Sequence, residues 1–295
     1  MSATSAQRTP AADRSHDSAG TPAVSINHHR QGAGPPLVLI HGIGLRWQIF
    51  APVIGPLAAD FEVIACDSPG FGQSPPLADG VSPTVPAYAD AFERFFAAAG
   101  LARPHVAGNS MGGAIALELA RRGAVATASA ISPAGFWTAA ERRFCQASLA
   151  PLAQTPRAAR PALEALIRTR AGRRALLWQT FGRPAQLPAQ EAVATLRDAW
   201  AAPAFAGALA AFDDYTFAAP EQLAQAAVTI LWGTQDRLLP FRLQAPRARA
   251  LLPHARHVTI GAGHVPFYDD PPVVVEAIRA GTRSRVAPAA SGDLP

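Results

Sequence analysis

The run Gly108-Asn109-Ser110-Met111-Gly112-Gly113 decides the fold of this 295-residue chain. It lies between a short apolar segment, His105-Val106-Ala107, and a segment with helical character that begins at Met111. A sharp turn from a strand into a helix strains the backbone of its central residue and crowds the residues two before and two after it. Glycine at both of those positions removes the side chains that would collide. The run therefore predicts a strand-turn-helix elbow that presents the hydroxyl of Ser110, whereas a bare G-x-S-x-G could also be a serine that caps a helix.

Short apolar runs bounded by glycine or proline recur on both sides of this elbow. Such runs are typical of strands buried on both faces of a parallel sheet. Stretches with helical periodicity lie between several of them, from Thr84 to Ala99 and from Met111 to Arg122. The alternation predicts an α/β fold, with a mostly parallel central sheet and helices on both of its faces. The predicted strands lie at 36–41, 61–66, 105–107, 128–131, 228–232 and 257–260.

The alternation of strands and helices stops in the middle of the chain. There, helix-like stretches are interrupted by proline and glycine, and Thr155-Pro156 is typical of a helix N-cap followed by proline at the first helical position. Strand-like runs resume at Val228, so this region is predicted to be a helical cap inserted into one core domain. The predicted organisation is a flexible leader (1–22), a core (23–135 and 220–282), a helical cap insertion (136–219) and a flexible tail (283–295).

Composition excludes several classes of function. The formal net charge is +5, but all basic residues are arginines and they are spread along the chain, so no nucleic-acid partner is expected. No apolar stretch approaches the roughly 20 residues that cross a bilayer, and no membrane partner is expected. Two distant cysteines, Cys66 and Cys145, make neither a disulfide framework nor a metal site. The sequence predicts a cytoplasmic protein without a cofactor or metal.

Three further segments carry a resemblance to a known family. His41-Gly42-Ile43-Gly44 looks like an oxyanion loop, Asp67 to Ser74 resembles a D-x-P-G-x-G-x-S loop, and Gly261 to Pro266 is similar to a histidine loop. With the elbow, they make the chain resemble the α/β-hydrolase fold superfamily, and within it the capped serine esterases and meta-cleavage-product hydrolases. The resemblance extends from about Val24 to Ala280 and is weak across the predicted cap.

This resemblance guides the choice of the base and the acid. In this fold the nucleophile, the acid and the histidine follow one another in that chain order. The order leaves His254, His257 and His264, of which only His264 lies in a glycine-rich loop beyond the last predicted strand. Asp236 follows the strongest late strand and is preferred to its rivals. Those rivals are Asp213 and Asp214, in the predicted cap, and Asp269 and Asp270, which lie too close to His264 in sequence.

The resemblance also implies the groups that bind an oxyanion. The backbone amides of Met111 and Ile43 are the expected donors, Gly44 could replace Ile43, and Gly42 belongs to the same loop. His41, although it ends a strand, is expected to shape this loop and not to transfer protons. The Asp67 to Ser74 loop is expected to be structural.

Three functions remain open on the sequence. The leading one is hydrolysis of a carboxylic ester or a related acyl bond through an acyl-enzyme on Ser110. The second is carbon–carbon bond hydrolysis of dienoic diketo acids, and the third is a ligand-binding or lyase member of the same fold. The expected partner is a small-molecule substrate with an apolar portion; the oligomeric state is not predicted. Two or three of eight apolar residues of the predicted cap are expected to touch the substrate. These eight are Phe136, Trp137, Phe144, Leu149, Trp178, Phe181, Trp200 and Phe212.

Overall fold

The computed structural model describes residues 25–223 and 226–283. The predicted leader and the predicted tail beyond Arg283 lie outside the described residues. Within those residues, seven strands form one sheet: β1 (His28–Gln31), β2 (Pro36–Ile40), β3 (Glu62–Cys66), β4 (His105–Asn109), β5 (Thr127–Ile131), β6 (Ala227–Gly233) and β7 (Arg256–Ile260). The sheet order is β1-β3-β2-β4-β5-β6-β7, and the six strands from β2 to β7 are parallel.

The edge strand β1 is the one element of the sheet that the sequence did not predict. It pairs antiparallel with β3. Its four residues are all polar, and three of them are exposed. Because a solvated edge strand needs no apolar alternation, no periodicity pointed to it.

Helices cover both faces of the sheet, as predicted. In β2, Leu37 and Leu39 belong to one apolar core, while Val38 and Ile40 belong to the core on the opposite face. Helices α1 and α10 pack on the first face, and α2, α3 and α9 on the second. The ten α-helices of the described residues are α1 (Ala51–Leu57), α2 (Val85–Ala98), α3 (Met111–Arg121), α4 (Ala139–Ala153), α5 (Arg160–Arg168), α6 (Arg170–Leu177), α7 (Ala189–Ala201), α8 (Phe205–Ala210), α9 (Phe241–Leu251) and α10 (Pro271–Arg283).

Helices α4 to α8 lie between β5 and β6, and we call residues 139–214 the helical insertion. No strand occurs between Ile131 and Ala227 in the described part of the chain. Helix α4 begins with a capping box in which the Thr138 hydroxyl accepts from the Glu141 amide and the Glu141 carboxylate accepts from the Thr138 amide. The bounds of a separate cap domain stay a prediction.

The predicted N-cap at Thr155 is wrong. Its hydroxyl donates backwards to the carbonyls of Pro151 and Leu152, at 3.0 and 2.9 Å. The chain after Pro156 first forms a short 3₁₀ turn, and α5 begins only at Arg160. The hydroxyl is therefore used to end α4 and is not available to begin α5.

No helix within the described ranges is long and apolar enough to cross a bilayer.

Candidate active site

Ser110 stands at the turn between β4 and α3, with a backbone φ of +57° and ψ of −116°. Few residues other than glycine adopt a positive φ, and such strain persists only where the surroundings enforce it. Here the Ser110 amide donates to the Ile131 carbonyl at 2.9 Å, and the Ser110 carbonyl accepts from Ala114 and Ala134. These bonds fix the serine between the end of β5 and the first turn of α3.

The two glycines of the elbow are required by close backbone approach. A methyl group on Gly108 would overlap the carbonyl oxygen of Gly112, and one on Gly112 would overlap the carbonyl oxygen of Ile40. The collision is with backbone on both sides, so no side-chain rotation relieves it. The predicted crowding of the backbone around Ser110 is therefore present.

Gly108→Ala is expected to lower the free energy of unfolding by at least about 3 kcal/mol, because an overpacked site surrounded by backbone cannot relax. The matched control is Gly261→Ala, where the φ angle is outside the left-handed region and an added methyl group meets nothing within 4 Å. That exchange reduces the freedom of the unfolded chain and should stabilise the protein by about 0.4–1 kcal/mol. Urea unfolding of both variants measures the difference, and similar midpoints would contradict the crowding.

His264 and Asp236 meet in the interior, beyond the ends of β7 and β6. The Nδ1 atom of His264 lies 2.8 Å from Oδ2 of Asp236, and both side chains are almost fully buried. The other carboxylate oxygen, Oδ1, accepts from the amides of Leu238 and Leu239 at 3.0 and 2.8 Å. The Trp232 indole donates to Oδ2 at 3.2 Å. Because carboxylates accept hydrogen bonds, the Nδ1 atom of His264 carries the proton and donates it to Asp236.

The opposite ring nitrogen of His264 is free. Its Nε2 atom is buried and has no hydrogen-bond partner among the described residues. Ser110 and His264 line the same cavity. Asn109 connects their two loops, since its side-chain amide donates to the Ile131 carbonyl at 3.1 Å and to the His264 carbonyl at 2.9 Å. A basic nitrogen and a hydroxyl thus face one enclosed space.

The loop that follows β2 approaches the serine. Gly42, Ile43 and Gly44 line the cavity, and a methyl group on Gly42 would lie 3.1 Å from the Cβ atom of Ser110. Gly44 has a φ of +75°, and a side chain there would run into the Phe205 ring of the helical insertion. Met111 points its side chain into the core, but its amide is at the start of α3. The amides of Ile43 and Met111 have no backbone acceptor among the described residues.

His41 holds this loop in place. The Ser68 amide donates to its Nε2 atom at 2.9 Å, so the proton is on Nδ1, which donates to the Gly42 carbonyl at 2.7 Å. Complete burial lowers the pKa of His41, so the ring is neutral. With both nitrogens occupied, His41 has no free nitrogen for proton transfer.

Hydrogen bonds within the Asp67 to Ser74 loop, and to neighbouring residues, hold the loop in place. The Asp67 carboxylate accepts from the amides of Trp47 and Gln73 and from the side chain of Asn27. The Ser74 hydroxyl donates to the Asp67 carbonyl at 2.7 Å and accepts from the Asn27 amide. The glycine positions at 70 and 72 have positive φ angles of +78° and +55°.

The two cysteines remain protonated. Burial and the nearby charge of Asp236 together raise the pKa of Cys145 to about 12. Burial also raises the pKa of Cys66. A protonated buried thiol is a weak nucleophile, so neither cysteine competes with Ser110. In the described part of the chain, no three His, Cys, Asp or Glu side chains gather to hold a metal ion.

The cavity over Ser110 has a volume of about 440 Å³ and is roofed by the helical insertion. Of the eight apolar residues expected to touch a substrate, Leu149 and Phe181 line it. Phe205 of α8 also lines it and was not among the eight, because nothing in a short alanine-rich helix indicates which side faces the core. None of the described lining residues carries an Arg, Asp or Glu side chain, and His264 is the titratable one.

Sequence comparison agrees with this geometry. The family model described as "Alpha/beta hydrolase family" matches residues 37–277. The pimeloyl-[acyl-carrier protein] methyl ester esterase of Xanthomonas campestris pv. campestris is 32% identical over 259 residues, which are 84% of this chain and 94% of that protein. The dihydrolipoyllysine-residue acetyltransferase component of the acetoin cleaving system of Cupriavidus necator is 34% identical over 146 residues, 48% of this chain. That match spans only 38% of the acetyltransferase component.

Among solved structures, a bacterial membrane phospholipase A superposes with a TM-score of 0.65 and 26% identity. The superposition covers 89% of this chain and 87% of that one. With the elbow at Ser110, the parallel sheet and a family match over most of the described residues, the chain belongs to the alpha/beta hydrolase family.

Proposed function

We propose that the protein is a serine hydrolase that cleaves a carboxylic ester, or a related acyl bond, through an acyl-enzyme on Ser110. The observation that carries the proposal is the free, buried Nε2 atom of His264 in the cavity that Ser110 lines, with Nδ1 bonded to Asp236. A serine hydroxyl is a poor nucleophile at neutral pH and needs such a base.

In this proposal His264 transfers protons twice. Its Nε2 atom takes the proton of Ser110 as the oxygen attacks the acyl carbon, and it then gives that proton to the departing alcohol. It next takes a proton from a water molecule that attacks the acyl-enzyme, and it returns this proton to the Ser110 oxygen as the acid leaves. Asp236 keeps the ring in the required tautomer and stabilises the imidazolium that forms in each half.

The negative charge of each tetrahedral intermediate falls on the former carbonyl oxygen. The amides of Met111 and Ile43 are the proposed donors to it. Met111 starts α3, Ile43 lies in the loop beside Ser110, and neither amide has a backbone acceptor in the described part of the chain. The helix N-terminus adds a favourable dipole at that point. Gly44 is the alternative to Ile43.

The lining of the cavity favours an uncharged acyl group. A dienoic diketo acid carries a carboxylate that needs a cationic partner, and none of the described lining residues is an arginine. Buried Arg173 donates instead to the carbonyls of Ile167 and Arg168. The Xanthomonas relative, named as a methyl ester esterase, also supports ester cleavage over carbon–carbon cleavage. We propose that the reaction needs no cofactor and takes place in the cytoplasm.

A panel of p-nitrophenyl esters of increasing chain length, assayed beside a ring-cleavage dienoate, tests the reaction class. We expect turnover of the esters, with kcat/KM rising with acyl length until the 440 Å³ cavity is filled. The activity should disappear in both Ser110→Ala and His264→Ala. Efficient cleavage of the dienoate with only trace esterase activity would overturn the ester proposal.

A further inference from the structure

Positive charge is concentrated in one part of the helical insertion, residues 142–190. Residues 142–190 contain nine arginines and a single carboxylate, Glu164, so this stretch has a formal charge of +8 while the whole chain has +5. The sequence interpretation, that the arginines are spread along the chain, overlooked that carboxylates are nearly missing here. Several of these arginines are exposed and form no ion pair with any described residue: Arg143, Arg157, Arg170 and Arg174.

The same stretch exposes large apolar side chains. Four of the exposed large hydrophobic residues in the described ranges belong to it, with exposed fractions of 45% for Phe144, 44% for Leu166, 38% for Leu176 and 49% for Trp178. Arg170, Arg174 and Trp178 follow one another at intervals of four residues along α6 and its C-cap. They therefore share one exposed face, on which charge and apolar surface alternate.

These apolar residues lie on α4, α5 and α6 with its C-cap, helices whose neighbouring residues line the cavity. Leu176 is exposed and also lines the cavity, as do Pro151 and Pro156. The Gln179 side chain donates to the Ser148 hydroxyl of α4 at 3.2 Å. This bond holds Gln179, and with it the adjacent Trp178, against α4. Phe144 lies one helical turn before Ser148 on the same helix. Leu166 of α5 lies against Gly172 of α6, and Gly172 lies one helical turn before Leu176. We call Phe144, Leu166, Leu176 and Trp178, with the four exposed arginines, the mouth surface.

We propose that the mouth surface docks onto an anionic lipid surface, so that acyl substrates enter the cavity directly from the lipid. Helical surfaces that bind membranes combine Trp, Phe and Leu, which enter the acyl boundary, with arginines that pair with lipid phosphates. A nucleic acid or an acidic protein would engage the arginines but would leave the four apolar side chains in water. The expectation that the protein has no membrane partner was argued from the lack of a spanning segment, and peripheral docking departs from that expectation. The docking itself does not depend on the ester chemistry of the proposed function.

Sedimentation with vesicles tests the docking on the full chain. We expect the wild type to bind phosphatidylglycerol-containing vesicles at least tenfold more tightly than pure phosphatidylcholine vesicles, with binding weakened by salt. Phe144→Ser/Trp178→Ser and Arg170→Gln/Arg174→Gln should each weaken it at least tenfold. The matched control is Arg249→Gln/Leu251→Ser at the C-terminal end of α9, where the chain turns back into β7 at the sheet edge opposite the cavity. It removes an exposed arginine and a leucine that is 36% exposed, and it should bind as the wild type does.

Trp178 provides a second readout. Its fluorescence should shift to the blue on anionic vesicles and be quenched by brominated lipids, and both changes should be lost in Trp178→Phe. Unchanged hydrolysis of a short soluble ester by the Phe144→Ser/Trp178→Ser variant shows that the fold is intact. The proposal is overturned if the wild type ignores anionic vesicles, or if the control loses binding equally. It is also overturned if polyglutamate or duplex DNA binds as tightly without any dependence on Phe144 and Trp178.

Discussion

Replacement of Ser110 by alanine is expected to abolish covalent labelling by a fluorophosphonate and to lower kcat for an ester by about 10⁶-fold, the scale of loss when a serine protease loses its nucleophile. The physical reason is that the other hydroxyls lining the cavity, those of Ser148, Thr155, Thr180 and Thr195, belong to the helical insertion and not to the elbow. Cys145 and Cys66 are buried and keep their protons. Mass spectrometry of the labelled wild-type protein should find the adduct on Ser110.

Ser148→Ala is the matched control for this experiment, since Ser148 lines the same cavity but belongs to the helical insertion. Labelling at Ser110 should persist in it. A label on another residue, or no label on folded wild-type protein, contradicts the role of Ser110. Such a result would favour a ligand-binding protein or a lyase on the same fold.

Asp236→Asn is expected to leave the fold intact and to lower kcat by about 10⁴-fold, the loss for the same exchange in a serine protease. The bonds around Asp236 explain why. Its Oδ1 atom accepts from two backbone amides, those of Leu238 and Leu239, so the remaining oxygen of an asparagine must stay there. The new NH₂ group then faces Nδ1 of His264, which has to become an acceptor. The proton moves to Nε2, and the histidine can no longer act as a base.

Steady-state kinetics with thermal unfolding as a fold check measures this loss. Asp213→Asn is the control, because among the described residues the Asp213 carboxylate accepts only from Gln146, far from His264 in the helical insertion. Asp269→Asn tests the other rival acid of the histidine loop. A larger drop in kcat for either of these variants than for Asp236→Asn means that the acid is not Asp236.

The elbow could be predicted from sequence because its constraints are local. Gly108 and Gly112 are required by the backbone of the turn itself, so their spacing around Ser110 is visible in the chain. The pairing of His264 with Asp236 could be predicted from the sequence for a different reason. Parallel strands bring their carboxyl ends to one edge of a sheet, so residues just beyond β6 and β7 had to be neighbours.

The cavity lining could not be predicted in the same way. It depends on how five helices pack over the sheet, and helix packing depends on side-chain shape across elements far apart in sequence. Gly44 illustrates this, since its glycine is required by the Phe205 ring of α8, more than 150 residues along the chain. Trp178, one of the residues expected to touch substrate, is half exposed on the surface instead.

Asp269, which the sequence analysis set aside as the acid, links two loops through its carboxylate. Its carboxylate accepts from the amides of Gly182 and Gly263 at 2.8 Å and from that of Arg183 at 2.9 Å. The first and third lie just after α6, and the second precedes His264. This one carboxylate therefore couples the stability of the helical insertion to that of the histidine loop, and a local opening at residues 182–183 leaves the histidine loop without one of its anchors.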